Sequence, residues 1–177
     1  MQPTLITEGL RLRPLDCSDA AKIERLLQDR EIARMTANIP HPYTLAMATA
    51  WIERQPRQWQ AQEAVVWGIE RQADAMLMGV VSLRQLKGPS PVLGYWLGKC
   101  FWGKGHASRA ASLVCQYARG RLGIESVVAS RLHRNVASGK VLERAGFKIE
   151  GFGFEQLPNK GAYEAVVYHR CRLGDWR

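Results

Sequence analysis

Val92-Leu93-Gly94-Tyr95-Trp96-Leu97-Gly98-Lys99-Cys100-Phe101-Trp102-Gly103-Lys104-Gly105-His106-Ala107-Ser108 joins a strand to a helix through two closely spaced glycines. The apolar run Val92–Leu97 predicts a strand. From Ala107 onward Ala110, Ala111, Val114, Ala118 and Leu122 recur at helical spacing, and Gly123 ends the helix. The segment between, Trp102-Gly103-Lys104-Gly105-His106-Ala107, therefore leads into a helix N-terminus, where unpaired N–H groups and the positive dipole end attract anions. Gly103 and Gly105 let the backbone turn sharply and approach a ligand with no side chain in the way, a geometry suited to a pyrophosphate. The nucleotide loop Gly-x-x-x-x-Gly-Lys-Ser/Thr is not matched, and Gly103-x-Gly105 lacks the third glycine of a dinucleotide fingerprint. Taken alone, the segment also fits a tight strand-to-helix turn that holds no ligand.

Outward from this point, Ala64–Glu70 and Met76–Leu83 predict two strands before Val92–Leu97, close enough for an antiparallel meander. Leu10 and Leu12 alternate with Arg11 and Arg13 in a short first strand. Asp16 or Ser18 caps a helix carrying Ile23, Leu26 and Leu27, and Thr44 caps a second with Leu45, Ala48, Trp51 and Ile52, which Pro56 should kink or end. Ser126–Leu132 predicts a strand, Asn135 caps a helix that stops at Gly146, and strands near Phe147–Glu155 and Tyr163–Leu173 close the chain. The order βααβββαβαββ implies an α/β layer on a mixed central sheet.

The 177 residues fit one domain, 1–177, and an apolar fraction of 46% supports a real core. No apolar run is long enough to span a bilayer, so no membrane partner is expected, and the first residues lack a secretory pattern, which predicts a cytoplasmic protein. Cys17, Cys100, Cys115 and Cys171 are scattered, as are the four histidines, so no metal site is expected. The net charge of +9 favours an anionic partner. Its basic residues form no single block and no RNA-reading motif occurs, so direct nucleic-acid binding is not expected; an RNA- or ribosome-binding protein remains a rival reading.

Leu93-Gly94-Tyr95-Trp96-Leu97-Gly98, Trp102–Ser108, Asn135-Val136-Ala137-Ser138 and Leu142-Glu143-Arg144-Ala145-Gly146-Phe147 form an ordered series that resembles the GNAT superfamily of N-acetyltransferases. Leu10–Leu15, Ile39–Thr44 and the closing Arg172–Trp176 are similar to its RimJ/RimL branch, the ribosomal-protein N-terminal acetyltransferases. The resemblance implies a mixed, mostly antiparallel sheet of about seven strands flanked by about four helices. It implies acetyl-CoA as cosubstrate, its pantetheine arm along Trp96 and Leu97 and its pyrophosphate on Trp102, Gly103, Lys104, Gly105, His106 and Ala107, with Asn135 a further contact. The Leu97 backbone would stabilise the oxyanion as a neutral amine attacks the thioester. Met35, Tyr43, Trp51 and Phe154 would line the acceptor pocket, aromatics of a kind that more often simply fill a core.

Two positions depart from the family pattern. The superfamily's acidic Tyr, seven residues after the Asn, is here Leu142. Ser138, four residues earlier, matches the branch's Ser and could protonate the leaving thiolate or relay a water; a hydroxyl near a helix start could equally bond only locally. Val92 stands where the branch often has Glu, leaving Glu70, Glu155 and Glu164 as alternative bases. With a pKa of ~7.8, roughly 14% of an α-amine is neutral at pH 7, against ~0.04% of a lysine amine at ~10.4, so a site without a strong base leans towards an α-amine. A protein N-terminus, with a ribosomal protein as partner, is the expected acceptor. Small-molecule or antibiotic amines, or a non-catalytic acetyl-CoA-binding module, are the alternatives, and the chain is expected to be a monomer or homodimer.

Overall fold

The computed structural model describes residues 1–157, 161 and 163–175; Trp176 of the closing motif lies outside the described residues. Strands β1 (Leu5–Thr7) and β2 (Leu10–Arg13) precede helices α1 (Ala20–Leu26), α2 (Arg30–Met35) and α3 (Leu45–Gln60). A meander β3 (Ala64–Arg71), β4 (Met76–Arg84) and β5 (Val92–Leu97) leads to α4 (His106–Leu122). Strand β6 (Ser126–Leu132), α5 (Val136–Arg144), β7 (Lys148–Gln156) and β8 (Tyr163–Arg172) complete the fold. One eight-stranded sheet runs β1-β2-β3-β4-β5-β6-β8-β7. Every neighbouring pair is antiparallel except β5 and β6.

The expected mixed sheet is present, with eight strands and five helices instead of about seven and four. The additional elements are β1, three residues long, and α2, six residues long. Both are too short to display a hydrophobic period. Pro56 lies inside α3 and does not end it. Proline lacks the N–H and crowds the carbonyl four residues back. Buried Ala48 and Ile52 before it, and Trp59 packed on the core after it, hold both halves against the sheet.

The sheet is covered on both faces. Val65, Trp67 and Ile69 of β3 pack with α4, whereas Val66 and Val80 pack with Ile23 of the first helix and Ile52 of α3. Burial on both sides explains why β3 and β4 read as unbroken apolar runs.

A buried ion network ties β2 to β3 and to the α1 entry. Arg13 binds Asp19 through both terminal nitrogens, at 2.7 and 2.8 Å, and Glu70 at 2.5 Å; Arg11 also holds Glu70. Asp19 and Glu70 are 0% and 2% exposed. Burial alone would raise both carboxyl pKa values, but the guanidinium hydrogen bonds outweigh it and hold both below their ordinary values. Depressed folded pKa values mean stability present above the unfolded carboxyl pKa and lost as pH falls through the folded one, so acid unfolding should draw on this network below pH ~4. Arg13→Met leaves two buried carboxylates without this partner and should cost about 3–5 kcal/mol, read by urea denaturation at neutral pH. Undiminished stability would show the network to be dispensable.

Candidate active site

Strands β5 and β6 are parallel and pair only at Val92↔Val128. Beyond that point they splay, and the β5 edge facing β6 has no strand partner. Successive N–H groups along a strand point to opposite edges. The Gly98 N–H bonds the Met78 carbonyl on β4, so the Leu97 N–H faces the gap. The Leu97 carbonyl shares that edge and accepts the Trp102 indole N–H at 2.8 Å.

The gap opens into a cavity of about 1250 Å³ that passes through the splay to the α3 side of the sheet. Its volume exceeds the ~300–1,000 Å³ common for one small-molecule site, enough for two ligands meeting at β5. One end is built from the N-termini of α4 and α5. Gly103 and Gly105 have φ of +76° and +77°, and a Cβ on either would meet nothing within 4 Å. The α3 and α5 starts are capped by Thr44 and Asn135, but the α4 start has no side-chain cap. Its first helical bond runs from Arg109 N to Gly105 O. Ser108 beside it lines the cavity, and its buried hydroxyl has no hydrogen-bond partner. An uncapped helix start, an orphaned hydroxyl and two bare glycines suit a pyrophosphate. Lys140 and Arg144 of α5 line the same end and take part in no ion pair among the described residues. The His106 imidazole pKa is lowered by burial and by neighbouring Arg109 and Lys104, so the ring adds no standing positive charge at neutral pH.

Of the loop residues expected to bind cofactor, Trp102, Gly103, Gly105, His106 and Ala107 line the cavity, as do Trp96, Leu97 and Asn135. Lys104 does not: its ammonium turns back to the Cys100 carbonyl at 3.1 Å. The Asn135 side chain is engaged within the protein, accepting from Ser138 N at 3.0 Å and donating to Met35 O at 2.9 Å. It thus clamps the α5 start to the end of α2.

Ser138 is not bonded only locally. Its Oγ lies 2.8 Å from the Tyr95 hydroxyl, which also donates to the Ser138 carbonyl at 3.1 Å. Burial pushes the Tyr95 pKa up to about 12, so the phenol keeps its proton at neutral pH. This bridge spans the splay between β5 and α5. The motif around Tyr95 carries no signal of this role, because its partner lies 43 residues away along the chain.

At the other end Met35, Tyr43 and Trp51 line the cavity. Phe154 does not: it is 74% exposed, and strand alternation turns its neighbour Glu155 into the cavity instead. Glu155 accepts the Tyr168 hydroxyl at 2.8 Å. Among the three carboxylates considered as bases, Glu70 is held in the ion network and Glu164 pairs with Arg134, and neither lines the cavity. Leu142 is sealed in the core. The described residues contain no cluster of His, Cys, Asp and Glu suited to a metal, and no helix among them is long and apolar enough to cross a membrane.

A splayed parallel pair beside an uncapped glycine-led helix defines the class of protein, and comparison with known families gives the assignment. The acetyltransferase (GNAT) domain model matches residues 9–148, and the chain belongs to this family of N-acetyltransferases. It is 28% identical over 171 residues to the uncharacterized N-acetyltransferase YoaA of Bacillus subtilis, covering 95% of this chain and 96% of that one. It is 27% identical over 177 residues to a B. subtilis protein named "Putative ribosomal N-acetyltransferase YdaF", covering 97% and 95%. The fold matches the structure of RimL, a ribosomal L7/L12 α-N-protein acetyltransferase in complex with coenzyme A, with a TM-score of 0.82 at 22% identity, covering 96% and 98%.

Proposed function

We propose that the whole chain works as one acetyl-CoA-dependent domain, cytoplasmic, that acetylates the α-amine of a protein N-terminus, with a ribosomal protein as the acceptor class. The observation that carries this reading is the continuous cavity: an anion-suited helix start at one end, an aromatic-lined pocket at the other, and the open β5 edge between. Bound there, acetyl-CoA supplies the activated acetyl thioester. Gly103, Gly105 and the α4 N–H groups hold its pyrophosphate, and the β5 edge at Trp96 and Leu97 receives the pantetheine amides as an added strand would be received. The Leu97 N–H donates to the thioester oxygen as charge builds on it, a contribution worth about 10²–10³ in rate where single donors have been removed. The amine nitrogen bonds to the acetyl carbon, the carbon–sulfur bond breaks, and the thiolate takes a proton from the Ser138 hydroxyl, which regains one from water in the same relay. When the single Tyr95 proton turns from the Ser138 carbonyl to Ser138 Oγ, the Ser138 proton is free for the sulfur. The amine's surplus proton leaves to water or to Glu155.

With no strong base close to the thioester among the described residues, an amine already neutral in part is favoured, hence an α-amine. The names of YdaF and RimL support a ribosomal protein as its source. Release of free coenzyme A should be measured with three acceptor sets: N-terminal peptides of ribosomal proteins, the same peptides with blocked N-termini and a free lysine, and small polyamines and aminoglycosides. Turnover concentrated in the first set is expected. Turnover confined to the small amines would overturn the protein acceptor, and coenzyme A binding with no turnover on any set would overturn the catalytic reading of this site.

A further inference from the structure

The acceptor end of the cavity carries positive charge that the protein leaves uncompensated. Arg84 ends β4 directly opposite Val92. Its side chain lies along the cavity floor over Gly94, with Nη2 and Nε 3.6 and 3.8 Å from where a Gly94 Cβ would stand. Arg84 takes part in no ion pair or side-chain hydrogen bond among the described residues, and partial desolvation lowers its pKa with no carboxylate to offset it. Arg54 of α3 sits near the Tyr43 phenol, and Lys87 follows β4 at the same rim. Both line the cavity, and neither has an ion-pair partner among the described residues. Two carboxylates line this end, Glu63, which has no ion-pair partner among the described residues, and Glu155, which accepts the Tyr168 hydroxyl; against Arg84, Arg54 and Lys87 they leave a net positive charge. Arg84 and Arg54 are exposed at the cavity rim, so an anion there would gain charge-assisted hydrogen bonds from guanidinium groups that hold no counter-ion among the described residues.

A second observation points to the same space. Gln55 of α3 is 6% exposed and lines the cavity, its amide nitrogen donating to the Trp51 carbonyl. Its Oε1 is buried with no partner. Buried acceptors are normally satisfied, and an N–H brought in through the cavity that Gln55 lines would meet this unpaired oxygen once the side chain shifts to admit it. The wall therefore offers an acceptor for N–H beside donors for an anion.

We propose, building on the acetyltransferase reading, that the acceptor carries an anionic group next to its amine, held by Arg84 with Arg54, while Gln55 Oε1 receives an acceptor N–H. Acidic side chains just after a protein N-terminus and the phosphate or carboxylate of a small amine share this chemistry. The same cations disfavour a protonated amine nearby, which favours the neutral nucleophile in a site without a close strong base.

The test uses matched acceptors. One pair is an N-terminal peptide with Asp or Asn as its second residue; the other is O-phosphoethanolamine and ethanolamine. Wild-type kcat/KM should favour the anionic member of a pair by about tenfold or more, mainly through KM, the ratio shrinking in high salt. Arg84→Ala should bring the ratio towards one, and Arg84→Lys should keep part of it. Coenzyme A affinity retained in both variants shows that they fold. Preference confined to the peptide pair assigns a protein N-terminus, and preference confined to the phosphoamine pair assigns a small amine; either supports the anionic acceptor. Turnover with equal kcat/KM in both pairs, or a ratio unchanged by Arg84→Ala, overturns it and leaves the acetyltransferase reading standing. No turnover with any of the four, despite coenzyme A binding, removes that reading and this inference with it.

Discussion

Gly105→Val should bind coenzyme A about tenfold or more weakly than the unaltered protein, measured by calorimetry. Two effects combine. Gly105 has φ +77° and ψ 0°, a left-handed conformation that a β-branched residue adopts only under strain, at about 1–3 kcal/mol. A Cβ there meets nothing within 4 Å, so the added methyl groups enter space on the cavity side of the α4 start. Strain alone is separable from blocked access, because the other end of the same helix supplies a control. Gly123 has φ +65° and equally open surroundings, and it lies far along the chain from the loop. Gly123→Val should lower the melting temperature without changing coenzyme A affinity. If Gly105→Val and the unaltered protein bind coenzyme A alike, the pyrophosphate does not sit on this helix start.

The loop from Trp102 to Ala107 was legible in the sequence because its chemistry belongs to the backbone. Glycines before a helix predict positive φ and bare N–H groups wherever the rest of the chain goes, and Gly103 and Gly105 adopt that conformation. The apolar periods of α4 and the caps at Thr44 and Asn135 were legible for the same local reason. Elements of three and six residues, β1 and α2, are too short to carry a period, and Pro56 stays helical because packing outweighs its local preference. The acceptor end was the least legible. Phe154 and Glu155 exchange roles according to which face β7 presents, and a bulge between Ile149 and Gly151 resets that alternation. Gln55 and Arg84 gain meaning only when α3 closes over β4, a relation no spacing along the chain encodes.

Ser138→Ala should lower kcat by about 10²-fold, with coenzyme A affinity little changed, if the hydroxyl delivers the proton to the departing thiolate. The alternative, a merely structural hydroxyl, makes a different forecast because of Tyr95. The Asn135 side chain caps α5 through the Ser138 backbone N–H, which alanine retains, so helix stability should hardly move. Tyr95 keeps its donor bond to the Ser138 carbonyl in that variant, so the bridge across the splay survives in part. Tyr95→Phe removes the phenol that orients the Ser138 hydroxyl and should lower kcat too, by a smaller factor, since water can orient the hydroxyl less well in its place. The double variant is then the decisive measurement. If the two act as one relay, its loss should be close to that of Ser138→Ala alone, because without the hydroxyl the phenol has nothing to direct. Multiplicative losses would mean that Tyr95 acts on the substrate independently. A Ser138→Ala protein with normal kcat would leave the Tyr95–Ser138 bridge as a tie between β5 and α5. The leaving thiol, with an ordinary pKa of ~8.5, would then depart unaided or with solvent help.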